Sequence, residues 1–322
     1  MSVLGRALVL LVFTFLILGS ALYGVAATRV RRAYDIPAPP IARATAPDDI
    51  ARGASLARTL CFTCHAPGPG QAPVGARVDG APSFLGEVWA PNLTADRETG
   101  IGAVADGDIA RLLRNGVGRD RHYAATMSRF ARLGDEDVAA LLGYLRSSDP
   151  LVAPRPHAVP PPRLGIVGTI VLAFAVGIDT RGEAHVPVPA RAPTADYGRY
   201  LASVIYGCVD CHTDGVAPAD EKLRSPGLLG GGLALHGAHN LSLFSPNLSP
   251  DPDFGIGRWS LDDLARALVA GADREGRPLR APMPRFADLT VVDIQAIYAF
   301  VRSVPPVHRP TPISPPRVAT TR

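Results

Sequence analysis

The apolar positions of the chain fall into three patterns. From Ala7 to Ala27 there are 21 residues without a charge, behind Arg6 and ahead of Arg29, Arg31 and Arg32. At about 1.5 Å per residue such a run crosses a bilayer as one helix. Elsewhere apolar residues recur every three to four positions, as on one face of an amphipathic helix. They do so at Ile109, Leu112 and Leu113, at Val138, Leu141, Leu142 and Leu145, at Leu264, Ala267 and Leu268, and at Ile294, Ile297, Tyr298 and Val301. The third pattern is a stretch of 15 residues, Leu164 to Ile178, containing Gly165, Gly168 and Gly177. It is too short to span and reads as a connector segment packed between domains or on the lipid surface. Strand-type alternation is scarce, so the pattern predicts an all-α protein with long Gly/Pro loops.

The stripes come in pairs because the chain repeats itself. Cys61 matches Cys208 at an offset of 147, while Pro91-Asn92-Leu93 matches Pro246-Asn247-Leu248 and Gly100-Ile101-Gly102 matches Gly255-Ile256-Gly257, both at 155. Met127-Ser128-Arg129-Phe130 matches Met283-Pro284-Arg285-Phe286 at 156, as does Tyr144-Leu145-Arg146-Ser147 with Phe300-Val301-Arg302-Ser303. The drift places extra loop in the second copy between Gly230 and Asn240. Each copy predicts a first helix ending at its cysteines, over about Asp49 to Leu60 and from a Thr194 cap to Ile205. A middle helix follows Ser260, with Asp263 completing a capping-box-like start, and a last helix begins near Thr290 with Asp293 three residues on.

The expected organisation is a membrane anchor or signal segment at 1–32, one domain at 48–150, a proline-rich connector at 151–193, a second domain at 194–305 and a proline-rich tail at 306–322. Val25-Ala26-Ala27 has the small residues of a cleavage site, but secretory apolar cores are about 7 to 15 residues. The longer run favours an uncleaved anchor. Asn-x-Ser/Thr triplets at Asn92, Asn240 and Asn247 read as incidental.

Hydrophobic residues at 47% and charged residues at 19% exclude a disordered chain. The net charge of +4 divides as +2 over 1–49, 0 over 50–150, +2 over 151–193, −3 over 194–303 and +3 over 304–322. The folded regions are neutral or acidic, which argues against a nucleic-acid partner. Lys222 is the sole lysine among 33 basic residues, so electrostatic docking has to use arginines or the acidic second domain.

The four cysteines form two identical frames, Cys61-Phe62-Thr63-Cys64-His65 and Cys208-Val209-Asp210-Cys211-His212. A thioredoxin-like Cys-x-x-Cys sits near a strand-helix pattern that is missing here, and a zinc site would need two pairs 147 residues apart to share one ion. With His directly after the second Cys, the third reading is covalent attachment of c-type haem, two thiols bonding one porphyrin edge and the imidazole facing the iron. Met127 and Met283, the non-initiator methionines, sit at equivalent repeat positions and are the expected sixth ligands. A core-filling role is the alternative for each, and His122 is the rival ligand in the first copy. His236 and His239 in the inserted loop read as surface histidines.

On these residues the chain resembles the class I-type cytochrome c domain, and more closely the multihaem c-type cytochromes that serve bacterial periplasmic dehydrogenases as electron-transfer subunits or partners. The resemblance covers roughly 48–148 and 194–304. It implies two tandem cytochrome c-type domains behind an N-terminal hydrophobic helix, with two covalently bound haem c groups. Cys61, Cys64 and His65 with Met127 would hold one, and Cys208, Cys211 and His212 with Met283 the other. Several cytochromes of that group carry three haems, against two frames here. Haem attachment after export implies both domains in the periplasm, on the outer face of a bacterial cytoplasmic membrane, against the positive-inside tendency of Arg29, Arg31 and Arg32. The expected activity is electron transfer without catalysis, from a dehydrogenase or quinol-oxidising complex to a terminal oxidase or soluble cytochrome. A dihaem c-type peroxidase is the alternative, disfavoured because two Met ligands leave no open iron position. A haem sensor lacks an output domain.

Overall fold

The uncharged N-terminal run forms one continuous helix, α1 (Val3–Val30), capped by the Ser2 hydroxyl, which accepts from the Gly5 N–H at 3.2 Å. Its side chains are exposed except near the C-terminal end, where Ala26 is fully buried. The computed structural model describes residues 2–127, 130–176, 180–182, 185–236 and 242–312. The chain divides into two compact units, Met1–Pro187 and Val188–Arg322. Ser128-Arg129 of the repeated Met segment, Gly177 and Ile178 of the second apolar stretch, His239, Asn240 and the tail beyond residue 312 lie outside the described residues.

In the first unit, Pro47 in the first turn and Asp48 and Asp49 beside it start α2 (Pro47–Leu56), since proline needs no N–H partner there and the acids suit the positive helix end. The helix widens into a π-helical turn at Ala57–Cys61 and returns to α geometry in α3 (Phe62–His65). Short strands β1 (Ala76–Arg77), β2 (Gly86–Glu87) and β3 (Trp89–Ala90) follow, with β1 and β3 antiparallel. Next come α4 (Asp106–Asn115), stopped by left-handed Gly116, and α5 (Asp135–Leu145). β4 (Arg163–Leu164) pairs with β2, and α6 (Ile166–Ile170) runs into a π-helical turn at Val171–Val176.

The core of this unit is the crossing of α2 and α5. It is close because Gly53 faces Ala140: a Cβ added at Gly53 would lie 1.9 Å from the Ala140 carbonyl oxygen. Beside it Arg52 donates to both carboxylate oxygens of fully buried Asp137, at 3.1 and 3.3 Å.

The second unit repeats this plan. Thr194 caps α7 (Ala195–Tyr200), which passes through a π-helical turn at Leu201–Ile205. α8 (Cys208–His212) and α9 (Ala219–Lys222) follow, then an antiparallel pair of β5 (Ala234–His236) and β6 (Ser242–Phe244). Ser260 with Asp263 and Thr290 with Asp293 each form a complete capping box. They start α10 (Leu261–Ala265), continued by a π-helical turn at Arg266–Ala270, and α11 (Val291–Ser303). α7 crosses α11 with Gly198 against Ala296, again 1.9 Å from a would-be Cβ to the carbonyl oxygen. Tyr197 replaces Arg52 here, its hydroxyl donating to Asp293 at 2.8 Å.

The fold is mostly helical, as the periodicity predicts. The first helix starts at Pro47, ahead of the expected Asp49, because proline opens a helix as well as an acid does. The strand pairs, two or three residues long, shape the loops between helices. Their brevity is why no alternation marks them in the sequence.

Candidate functional site

In the first unit Cys61 ends the π-helical turn and α3 carries Cys64 and His65; in the second, α8 carries the whole frame. The two cysteines stand three residues apart on one side, and the histidine ends the turn. The turn is set by the helix before it, whose last residues bury Leu56 and Ala57 in one copy and Leu201 and Ala202 in the other. His65 and His212 are each 6% exposed.

In both copies one imidazole nitrogen is already engaged. His65 Nδ1 lies 2.7 Å from the Pro91 carbonyl oxygen, and His212 Nδ1 lies 2.9 Å from that of Pro246. A carbonyl only accepts, so Nδ1 carries the hydrogen and Nε2 keeps its lone pair. This is the second contact that orients metal-ligating histidines. Burial holds both imidazoles below their ordinary pKa, the carbonyl bond pulling more weakly the other way. Both rings are therefore neutral.

The residue after each proline holds that carbonyl in place. Asn92 is buried; its Oδ1 accepts from the Thr94 N–H at 2.9 Å and its amide donates to the Arg155 carbonyl at 2.8 Å. Asn247 is buried likewise, accepting from Ser249 N–H at 2.8 Å and donating to the Val307 carbonyl at 2.8 Å. Both asparagines thus have an interior structural task, which agrees with their triplets being incidental. The signal in the sequence was the repeated Pro-Asn-Leu.

Cys61, Cys64, His65 and Met127 line a single cavity of about 390 Å³ in the first unit. Its other walls are mainly apolar, including Val88, Ile101, Ile109, Leu113 and Leu141. Cys208, Cys211, His212 and Met283 line one cavity of the second unit, of about 50 Å³. That space is narrower where Tyr206 packs edge-on against Phe286, ring centroids 4.9 Å apart, both on its wall. The rival His122 is not on the wall of the first cavity; it is half exposed, with Nδ1 3.5 Å from Asp120.

Burial pushes the Cys61 and Cys208 thiols up to about 12, the neighbouring cysteine adding to the effect in each. They stay protonated, opposite to the depressed thiols of redox-active Cys-x-x-Cys sites.

The donor set in each unit fits a covalently held haem: two thiols, a neutral imidazole with its hydrogen on Nδ1, and one thioether on the same cavity. The first cavity adds a fitting detail the sequence reading missed. The indole Nε1–H of Trp89 on that wall is buried without an acceptor among the described residues, and Arg119 shares the wall. Two such donors suit the carboxylates a haem carries.

Residues 48–145 match the family described as Cytochrome C oxidase, cbb3-type, subunit III. The chain is 30% identical over 270 residues to the fructose dehydrogenase cytochrome subunit of Gluconobacter japonicus, covering 80% of this chain and 52% of that protein. It is 28% identical over 278 residues to the alcohol dehydrogenase (quinone) cytochrome c subunit of Gluconacetobacter polyoxogenes, covering 80% of this chain and 56% of that one. A diheme cytochrome c-type protein of Cereibacter sphaeroides is 26% identical over 263 residues, 77% of this chain and 82% of its own length. The chain spans about half the length of the dehydrogenase subunits it matches. Those relatives are cytochrome subunits by name, not catalytic ones.

Proposed function

From the match of residues 48–145 to a cytochrome c family, we propose that the chain transfers single electrons through two c-type haems while tethered to a membrane by α1. The observation that carries this reading is the repeated arrangement of a buried, neutral histidine tied through Nδ1 to a proline carbonyl, sharing one cavity with two cysteines and one methionine. In this reading domains 48–150 and 194–305 hold one haem each. Cys61 and Cys64, and Cys208 and Cys211, would form the thioethers, and His65 and His212 through Nε2, with Met127 and Met283, would hold the iron.

Bound haem supplies the one-electron chemistry; the chain supplies ligand identity, burial and orientation. A methionine with a histidine as ligands would set a higher potential than two histidines and would leave no open position for oxygen or peroxide. The apolar cavity walls would exclude water from a bound haem and favour its less charged, reduced state. To hold a haem, the second cavity would have to widen where Tyr206 and Phe286 pack against each other on its wall.

The dehydrogenase names of the relatives support a membrane or periplasmic dehydrogenase, or a quinol-oxidising complex, as donor. A terminal oxidase or soluble cytochrome would be the acceptor. The haem domains lie in the periplasm, against the bacterial cytoplasmic membrane. The test is purification of the full chain from membranes with spectroscopy of the haem. We expect two covalent haems per chain, both low-spin when oxidised, and negligible peroxide turnover. One haem per chain, a high-spin fraction near one half, or ready peroxide reduction would overturn the proposal.

A further inference from the structure

The apolar stretch after the first cytochrome c domain has no part in the electron-transfer reading, yet it is built into the first unit with one face in and one face out. Gly168, Thr169, Leu172 and Ala173 face inward: a Cβ at Gly168 would lie 2.7 Å from the Leu85 Cα, and Thr169, Leu172 and Ala173 are buried. Ile166 and Val167 face outward at 64% and 57% exposure, and Phe174 and neighbouring Phe84 are exposed too.

Two observations say what covers that outer face. The segment packs against the C-terminal end of α1, where the helix buries Ala26. Phe174 lies directly under the Arg29 guanidinium, 4.9 Å from its ring centroid. The exposed apolar face is thus continuous with the end of the apolar helix, at a rim carrying Arg29, Arg31 and Arg32. From Ile166 to Val176 the segment is about 16 Å long at helical rise, so it lies along a bilayer surface and cannot cross.

We propose that residues 164–176, with Phe84, form a membrane foot. Ile166, Val167, Phe84 and Phe174 enter the boundary between headgroups and acyl chains of the bilayer that α1 crosses, and the three arginines meet lipid phosphates. Apolar face inward and basic rim at headgroup level is how interfacial segments bind. The inference rests on the reading of α1 as a retained anchor. It also bears on the redox site. The loop that leaves the foot at Phe84 and pairs with it through β2 and β4 continues into Val88, Trp89 and Pro91, the wall of the first cavity. The foot therefore holds the first cavity at the membrane surface.

The test uses the full chain with haems attached, so that its own cysteines are consumed as thioethers, in vesicles of phosphatidylethanolamine and phosphatidylglycerol. Nitroxide labels go on Ile166→Cys, Val167→Cys, Leu11→Cys in α1 and Val216→Cys, a fully exposed site in the second unit. An unchanged haem spectrum certifies each variant as folded. Relative accessibility to oxygen and to a water-soluble nickel chelate reads immersion. The expected result is an oxygen-to-nickel ratio several-fold higher at Ile166, Val167 and Leu11 than at Val216. If Leu11 is immersed while Ile166 and Val167 match Val216, the foot is wrong and the anchor stands. If Leu11 also matches Val216, the anchor fails and the foot with it. Protection of Ile166 and Val167 only after a dehydrogenase-containing extract is added would assign the face to a protein partner and overturn the lipid assignment.

Discussion

His65 Nδ1 stands 2.7 Å from the Pro91 carbonyl oxygen, and Pro91 is followed directly by the buried Asn92 that pins the loop. The imidazole is therefore oriented by a chain segment that is itself fixed from the far side, through Arg155. Asn92→Ala removes the bonds of this side chain to the Thr94 N–H, to the Arg155 and His157 carbonyls and to Thr99 Oγ1, and leaves the buried Thr94 N–H without this acceptor. The expected cost is about 1–3 kcal/mol per orphaned group, read as a lower denaturant midpoint. Asn247→Ala should do the same in the second unit.

Ligand exchange would separate the two proposed haems. Met127→His and Met283→His are each expected to lower one of two resolvable midpoint potentials, since a second imidazole stabilises ferric iron more than a thioether does. A potentiometric titration in which either variant leaves both potentials unmoved would show that its methionine is not a ligand.

Lys222 offers a test confined to one unit. It is 5% exposed and donates to the Asp210 carbonyl and, at 3.0 Å, to that of Thr213, on either side of His212. Lys222→Met removes a positive charge beside the second haem site and two donors. We expect the potential of that haem alone to fall, because a nearby cation opposes the more positive ferric state. Stability should drop by about 1–3 kcal/mol.

The helix crossings tolerate no side chain. Gly53→Ala and Gly198→Ala each place a Cβ against a backbone carbonyl of the facing helix, where only movement of a helix can relieve the overlap. Each should cost at least the upper part of the about 1–3 kcal/mol typical of overpacking, visible as a lower Tm. Gly19→Ala in α1, with nothing within 4 Å of its would-be Cβ, should leave the Tm unchanged.

Acid should unfold the second unit partly through Asp251. The Phe254 N–H, donating at 2.7 Å, is the main cause that holds this carboxyl below its ordinary range, helped by His308 Nδ1 at 2.9 Å. A carboxylate whose pKa is depressed by folding contributes stability above its unfolded pKa of about 3.9. That contribution is lost as pH falls through the lower folded value. Denaturant midpoints measured between about pH 6 and pH 2.5 should fall less steeply in Asp251→Asn than in the parent.

The helices and the cysteine frames were legible because local chemistry specifies them. Ser260 with Asp263 and Thr290 with Asp293 form the expected caps, and a 147-residue repeat of Cys-x-x-Cys-His has few physical meanings. Met127 and Met283 could be paired with those frames because each repeat offers one thioether, and each does reach its cavity. The Pro91 and Pro246 carbonyls could not be read, since a backbone acceptor leaves no mark in side-chain pattern. Asn92 and Asn247 were visible as a repeat but not as buried residues, because their partners Arg155 and Val307 lie some sixty positions away. Trp89 was missed for a simpler reason: its repeat counterpart is Phe244, so no repetition drew attention to it.

The partners of those asparagines also set the true extent of each repeat. Arg155 lies ten residues past the end of α5, and Val307 four past the end of α11. Each cysteine–histidine turn is thus latched by chain that follows the last helix of its repeat. A fragment of the first repeat cut at Ser147 would keep every helix of the cytochrome c domain yet lose the clasp behind His65. For expression, fusion or recombination of these repeats, the exchangeable cassette ends beyond the clasp, not at the final helical turn.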